Sequence, residues 1–264
     1  MLNLWDLLIL QPMLNGLLML YQLLFNNLTL AITALTVLMR AITFPLTYQQ
    51  QKSSKKLMEL QQSDAWKKIQ EKYAKERDKL SQEQMKLYQE AGVNPLASCL
   101  PLLIQFPVLI GLYQAITQAM AASPNQLLDL SRHLYKFLPN VAGIIPLNNQ
   151  FLWLNLGLPD PYYILPLVVV ATTWLQSKIM TPISADPKAA QTSQTMALTT
   201  TVMVGYFSLQ FPSGLSIYWI VGNIIGIIQQ ALTSPVDWKN VFNFRFSLFP
   251  AQPAEEVKGK RKKK

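Results

Sequence analysis

Long apolar segments separated by polar ones dominate the hydropathy pattern of this chain. Five apolar segments approach the roughly 20 residues that a membrane-spanning helix needs, and we predict a transmembrane helix in each. The predicted spans, in chain order, are residues 28–46, 97–121, 163–180, 196–211 and 215–232. The pattern therefore predicts an all-α polytopic membrane protein with five transmembrane helices.

The segments between the spans predict further elements. Residues 1–26 are apolar but broken by polar residues, which suits an N-terminal interfacial helix on the outer leaflet. Pro45 is expected to close the first span. Residues 212–214 form a linker so short that the last two spans should be an antiparallel hairpin. The other predicted parts are an extracellular segment at 122–161, a loop at 181–195 and a basic tail at 233–264.

Residues 47–96 differ sharply from the rest of the chain. Gln, Lys and Glu dominate, with no Pro or Gly before Gly92, which is typical of long solvent-exposed helices. We predict a helical hairpin that breaks near residues 75–79, where Ser81 and Gln84 would form the capping box of its second helix.

The charge distribution predicts an orientation. Only 14% of the residues are charged, against about 25% in an ordinary soluble domain. The net charge is +9, yet residues 1–39 contain no Lys or Arg, whereas residues 47–96 contain nine Lys and one Arg and the tail contains six Lys and two Arg. By the positive-inside rule the hairpin and the tail are cytoplasmic and the N-terminus is outside. No secretory signal or organellar targeting segment is recognised, which favours a bacterial plasma membrane.

Composition also narrows the possible chemistry. The single cysteine, Cys99, excludes an internal disulfide and a multi-cysteine metal site. The single histidine, His133, argues against zinc or acid–base chemistry, and we interpret it as a loop residue beside Arg132 and Asp129. The chain lacks a Gly-rich phosphate loop followed by lysine. We expect no metal, no cofactor and no enzymatic reaction.

Arg40 is the most informative residue, because it lies inside the first predicted span. Such a charge costs roughly 2.5–3.5 kcal/mol on insertion scales. A structural salt bridge is the alternative interpretation, but none of the five predicted spans contains Asp or Glu. Thr33, Thr36 and Thr43 recur at helical spacing around Arg40 and give the helix one polar face. A hydrated cavity inside the membrane is therefore predicted.

Other spans contain polar residues with two possible interpretations. Gln105 lies between Pro101 and Pro107 in the second span, and Asn223 lies near the middle of the fifth. Each amide should face the bundle interior, either in the cavity or in a plain interhelical hydrogen bond. Gly222 and Gly226 in the fifth span are interpreted first as close-packing positions.

Three motifs resemble one known family. Residues 94–113, NPLASCLPLLIQFPVLIGLY, are similar to the second-span signature of the YidC/Oxa1/Alb3 membrane protein insertases. Residues 36–46, TVLMRAITFPL, resemble the first core helix of that family with its single arginine. Residues 211–230, FPSGLSIYWIVGNIIGIIQQ, resemble its last hairpin helix. The resemblance extends over nearly the whole chain, with the same five-helix order and the same cytoplasmic hairpin.

The resemblance implies a function and a site. Family members hold the arginine in a hydrophilic groove of the inner leaflet, which is open to the cytoplasm and to lipid. Matched by position, Arg40 is that arginine, and Gln105 and Trp219 resemble groove-lining residues. Together with Thr33, Thr36 and Thr43 they form the predicted substrate-binding groove.

The expected activity is non-enzymatic insertion and folding of nascent membrane proteins, both independently of the Sec translocon and beside it. The other expected partners are membrane lipids and the ribosome, and the protein is expected to act as a monomer. The ribosome would bind the basic tail, Lys260, Arg261, Lys262, Lys263 and Lys264. A solubility tail is the alternative.

Two other classes of membrane protein could also carry a lone intramembrane charge. A channel or solute transporter is the first, but the chain lacks an acidic proton relay and clear internal repeats. An intramembrane protease is the second, and the five spans contain neither His nor Asp.

Overall fold

The computed structural model describes residues 3–74, 76–92, 100–120, 123–136, 143–145, 147–180 and 187–233. These residues are mostly helical, and a π-helical turn at Asp6–Leu10 leads directly into α1. The helices are α1 (Gln11–Leu23), α2 (Leu28–Gln62), α3 (Asp64–Lys72), α4 (Arg77–Glu90), α5 (Leu100–Ala119), α6 (Pro124–His133), α7 (Ile164–Met180), α8 (Pro187–Gln210) and α9 (Ser213–Thr233). A short antiparallel hairpin of β1 (Gln150–Phe151) and β2 (Leu154–Asn155) precedes α7. Predictions for the remaining residues, including the tail, lie outside the described residues.

The surface of the bundle is suited to lipid. In the described part of the chain, α2 and α9 are long and apolar enough to cross a membrane, and α7 is a shorter apolar helix. Large apolar side chains stay exposed on the helices, among them Ile42, Leu167 and Val202, each more than 60% exposed. Soluble monomers rarely expose large contiguous apolar patches. These features are the ones expected of a membrane protein, while the number of spans and their orientation stay predictions.

Pro45 lies inside a helix rather than at its end, in contrast to the prediction. α2 continues through Pro45 as one helix of 35 residues. A proline removes one backbone hydrogen bond from a helix, but the next turn is held by α9. The Gln229 amide donates a hydrogen bond of 2.9 Å to the Thr47 hydroxyl.

The boundaries of the helices in the predicted hairpin differ from those predicted. Ser63 separates α2 from α3 and caps α3, because its hydroxyl accepts a hydrogen bond from the Trp66 backbone N–H. α4 begins at Arg77, so Ser81 lies inside the helix instead of capping it. Asp78 in the first turn favours this earlier start, because a carboxylate stabilises a helix N-terminus.

The predicted loop at 181–195 is shorter than expected. Residues 187–195 already belong to α8, which begins at Pro187. Proline suits a first helical position because the N–H that it lacks would have no helical partner there. α7 packs against both α8 and α9, so the two helices that follow the loop flank α7 and make few contacts with each other.

The apolar core lies at the end of the bundle that contains the N-termini of α2 and α9, here called the outer end. Its fully buried side chains include Leu14, Leu17, Leu18, Ile32, Leu112, Ile116, Leu154, Leu156 and Leu215. Three of them belong to α1, which packs against α2 and α5. The N-terminal helix predicted as interfacial therefore contributes one face to the core.

Loops from the predicted extracellular segment close the outer end. The carbonyl of Leu158 accepts a 2.7 Å hydrogen bond from the Ser213 hydroxyl, and the carbonyl of Leu156 accepts one of 3.0 Å from the Gly214 N–H. A side chain at position 214 would stand 3.1 Å from that Leu156 carbonyl. The close approach of the loop to the start of α9 thus favours glycine at position 214.

Candidate functional groove

An open groove lies between α2, α5 and α9. The centres of water molecules can occupy about 70 Å³ of it, and one water needs roughly 10–15 Å³ of such space, so the groove can hold several water molecules. The lining residues are Thr36, Met39, Arg40, Thr43, Leu46, Thr47, Gln50, Gln105, Val108 and Tyr218. Six of the ten are Thr, Gln or Arg, so one wall of an apolar bundle is polar.

Arg40 contributes the positive charge of the groove. The side chain is half-buried, and among the described residues it has neither an ion-pair partner nor a protein hydrogen bond. Its Nη2 lies against α9, since a Cβ at Gly222 would stand 2.9 Å from that atom. The guanidinium has five N–H donors. They remain available to an anion or to water in the groove.

The threonines supply acceptors rather than donors. The Thr36 hydroxyl donates to the Ile32 carbonyl over 2.7 Å, and the Thr43 hydroxyl donates to the Met39 carbonyl over 2.8 Å. Because each O–H is used within α2, only oxygen lone pairs remain, and groove water or a substrate N–H can reach those of the half-buried Thr43 rather than those of Thr36, which is 1% exposed. The polar face of α2 therefore complements the donors of Arg40.

Gln105 joins α5 to α9 inside the groove. Its amide nitrogen donates a 2.6 Å hydrogen bond to the Tyr218 hydroxyl, which belongs to α9. Tyr218 is only 4% exposed, so this bond supplies a partner for a polar atom that would otherwise be buried alone. The sequence indicated that Gln105 needs a partner, but it did not identify Tyr218.

The groove ends abruptly toward the outer end. One turn beyond Thr36, Val108 and Tyr218 on their respective helices, the lining gives way to fully buried apolar side chains. These are Ile32, Leu112 and Leu215, all at most 1% exposed. At the opposite end the lining reaches Gln50. Among the described residues, the groove is thus closed at one end by the core.

Asn223 connects α7 and α9 outside the groove. Its amide donates to the hydroxyls of Thr172 and Thr173 over 3.1 and 2.9 Å. This is the interhelical alternative considered for Asn223. Gly226 lies one turn further on, where a Cβ would overlap the Gln176 amide. Gly226 therefore makes room for a polar side chain of α7.

Four of the six predicted site residues line one groove: Arg40, Gln105, Thr36 and Thr43. Thr33 and Trp219 do not. Trp219 is 9% exposed and packs in the apolar core, one turn before Asn223. Thr33 lies one turn nearer the outer end than the lining residues, and its hydroxyl donates to the Thr29 carbonyl. The role of all six in substrate binding stays a prediction.

His133 is not the loop residue that was expected. It lies in the last turn of α6, 6% exposed, with Nδ1 2.8 Å from the Asp129 carbonyl oxygen. A capping box of Ser123 and Gln126 begins this helix. This capping box could have been recognised in the sequence, because Ser123 and Gln126 are three residues apart and Pro124 follows Ser123.

Comparisons with known proteins agree with the fold. A family model described as 60Kd inner membrane protein matches residues 19–237. Membrane protein insertase MisCA of Bacillus subtilis is 36% identical over 241 residues, which cover 89% of this chain and 81% of that protein. Membrane protein insertase YidC 2 of Bacillus anthracis is 38% identical over 213 residues, which cover 78% of this chain and 72% of that protein.

A solved structure shares the fold. A crystal structure described as an active YidC insertase with the first transmembrane domain resolved matches with a TM-score of 0.58 at 23% identity. The match covers 89% of this chain and 47% of that one. Since the family model covers most of the sequence and the relatives exceed 30% identity, this chain belongs to the YidC family of membrane protein insertases.

Proposed function

We propose that the groove receives the translocated segment of a nascent membrane protein and that Arg40 attracts acidic side chains in it. The observation that carries this proposal is the guanidinium of Arg40, which has no ion-pair partner among the described residues and lies in an open polar groove. At 4 Å and an effective dielectric constant of 20, a pair of unit charges is worth about 4 kcal/mol. Groove water and the threonine oxygens keep the segment solvated, which lowers the cost of moving polar residues into the membrane.

The following apolar helix of the substrate then enters lipid along α9 and α7. On α9, Ile224, Ile228 and Leu232 recur every four residues and are 45–82% exposed, which gives an apolar stripe. Burial of about 20 apolar substrate residues in lipid supplies the driving force. Insertion therefore needs no chemical reaction.

The closed outer end favours this function over a channel. A continuous pore would need a hydrated path past Ile32, Leu112 and Leu215, which are fully buried in apolar contacts. An insertase needs a path only part of the way across, because the substrate leaves sideways into lipid.

The remaining parts of the proposal concern topology and partners. The protein lies in a bacterial plasma membrane as a monomer with five spans, its N-terminus outside and its C-terminus cytoplasmic. Residues 260–264 bind ribosomal RNA electrostatically, so ribosome binding should weaken steeply with salt. Insertion proceeds without the Sec translocon for small substrates and beside it for others.

Reconstituted insertion tests the proposal. Proteoliposomes with wild type, Arg40→Ala or Arg40→Lys would receive a single-span substrate with one acidic residue in its translocated tail. Protease protection of the tail is the readout. We expect Arg40→Ala to abolish insertion and Arg40→Lys to retain most of it. Thermal melting should show that both variants are folded. Normal insertion by Arg40→Ala would refute the role of the charge.

A further inference from the structure

Gln50 is the residue at the opposite end of the groove from the apolar closure. It is 7% exposed, and its Nε2 is fully buried without a hydrogen-bond partner among the described residues. It also lines the groove that holds Arg40. A buried amide donor without a partner lowers stability. Because Gln50 lines the groove, a turn of its side chain would bring this N–H to an acceptor on a ligand there.

The spacing between Gln50 and Arg40 restricts that ligand. Both residues belong to α2 and stand ten positions apart, which corresponds to about 15 Å along the helix at 1.5 Å per residue. A ligand that pairs with Arg40 and also accepts from Gln50 must therefore be long. An extended polypeptide spans this distance with four or five residues at about 3.3–3.6 Å each.

Backbone hydrogen bonding favours an extended segment over a helical one. In an α-helix each backbone carbonyl, apart from those of the last turn, is already paired with the N–H four residues further along. An extended strand has unpaired backbone carbonyls, which are strong acceptors. Such a carbonyl is the partner that the Gln50 amide lacks.

We infer that Gln50 binds a backbone carbonyl of the substrate four or five residues away from the acidic residue held by Arg40. This inference rests on the proposed function of the groove. Gln50 then sets the register and the extended form of the bound segment, while Arg40 selects its charge. Because a backbone carbonyl occurs in every residue, Gln50 adds affinity without restricting the substrate sequence.

Disulfide cross-linking measures the register directly. The chain would carry Gln50→Cys with Cys99→Ser, and an N-out substrate would carry one acidic residue and a single cysteine scanned 2 to 12 positions C-terminal to it. We expect the highest cross-linking yield when the cysteine is four or five residues C-terminal to the acidic residue. If the acidic residue is moved by two positions in the substrate sequence, the best cysteine position should move by two as well. Gln49→Cys is the matched control, because Gln49 is the adjacent glutamine and is exposed.

Three results would overturn the inference: a maximum near ten residues, a maximum that does not follow the acidic residue, or an equal yield from Gln49→Cys. Repeating the experiment with Arg40→Ala distinguishes failure of this inference from failure of the proposed function. If Arg40→Ala abolishes insertion while the Gln50 cross-links show no register, only the inference fails. If Arg40→Ala changes neither insertion nor the cross-links, the proposed function fails as well.

Activity gives an independent readout. Gln50→Leu should slow insertion about fivefold, the effect of losing one hydrogen bond, and should leave the melting temperature equal or higher because a buried unpaired donor is removed. Gln49→Leu should change neither. A Gln50→Leu protein that inserts at the wild-type rate would contradict the role of the amide.

Discussion

The guanidinium of Arg40 lies against Gly222, so close that a Cβ at position 222 would stand 2.9 Å from Nη2. The register of α2 and α9 explains this contact. The two helices are parallel, and hydrogen-bonded residues such as Thr47 and Gln229 are 182 positions apart in sequence. The same offset separates Arg40 from Gly222. Gly222 therefore leaves the space that the arginine head group occupies.

Replacing Gly222 with alanine should displace the guanidinium of Arg40 by a few tenths of an ångström. We expect insertion of a substrate with an acidic tail to slow by roughly three- to tenfold, about 1 kcal/mol, the value of a typical hydrogen bond. Leucine should have a larger effect because it fills the groove beside Arg40. The initial rate of protease protection in proteoliposomes measures both variants.

Gly226→Ala is the matched control for Gly222. The added methyl group would meet the end of the Gln176 side chain, which belongs to α7 and does not line the groove. Both substitutions disturb a flexible polar side chain on the same helix, but only one of them touches Arg40. Equal effects of the two on insertion would contradict a positioning role for Gly222.

Tyr218→Phe should destabilise the protein by about 1 kcal/mol, because it removes the 2.6 Å hydrogen bond from the Gln105 amide. The thermal midpoint in detergent should fall accordingly. Tyr206→Phe should have almost no effect, because Tyr206 is 57% exposed and no hydrogen bond of its hydroxyl is observed in the described structure. A midpoint that is the same for Tyr218→Phe and for wild type would show that the bond contributes nothing.

Asn223 and Thr173 should be coupled across the α7–α9 interface. Their hydrogen bond is 2.9 Å long and buried, and such bonds within membranes contribute about 0.6 kcal/mol on average and up to about 1.7. A double-mutant cycle with Asn223→Leu and Thr173→Val should return a coupling energy in that range. Strict additivity of the two stability changes would exclude a net contribution.

Local sequence patterns were sufficient to place several of the residues that line the groove. Arg40, Thr36 and Thr43 share one side of α2 because three- and four-residue spacings repeat on a helix surface. Gln105 was placed inside the bundle because an amide in lipid needs a partner. Each of these arguments depends on a single helix, so it does not require knowledge of how the helices pack.

Features that depend on two helices were not accessible in the same way. Trp219 shares a helical face with Asn223, but that face turns toward α7 and the core rather than toward Arg40. Gly222 was interpreted as a packing position, since the offset between α2 and α9 is invisible in one sequence. Pro45 was expected to end a helix because the stabilising contact of the next turn comes from Gln229, more than 180 residues later.

Asp160 should be the most important single side chain for order at the outer end. It is 4% exposed, and its carboxylate accepts hydrogen bonds from the Trp153 indole and from the backbone N–H groups of Tyr162 and Leu165. Hydrogen bonds to a charged group contribute about 1.5–3 kcal/mol. Asp160→Ala should therefore lower the free energy of unfolding by about 3 kcal/mol or more.

The position of Asp160 adds a second expected effect. It immediately follows the loop whose Leu156 and Leu158 carbonyls hold the start of α9 at the outer end, next to the core that closes the groove. Proteoliposomes that contain Asp160→Ala should therefore leak small ions below the melting temperature of the variant, whereas those that contain wild type should not. Asp129→Ala removes an exposed carboxylate and should stay within about 0.5 kcal/mol of wild type, as surface changes usually do. If Asp160→Ala has a lower melting temperature but its proteoliposomes do not leak, the core residues Ile32, Leu112 and Leu215 close the groove without help from this loop.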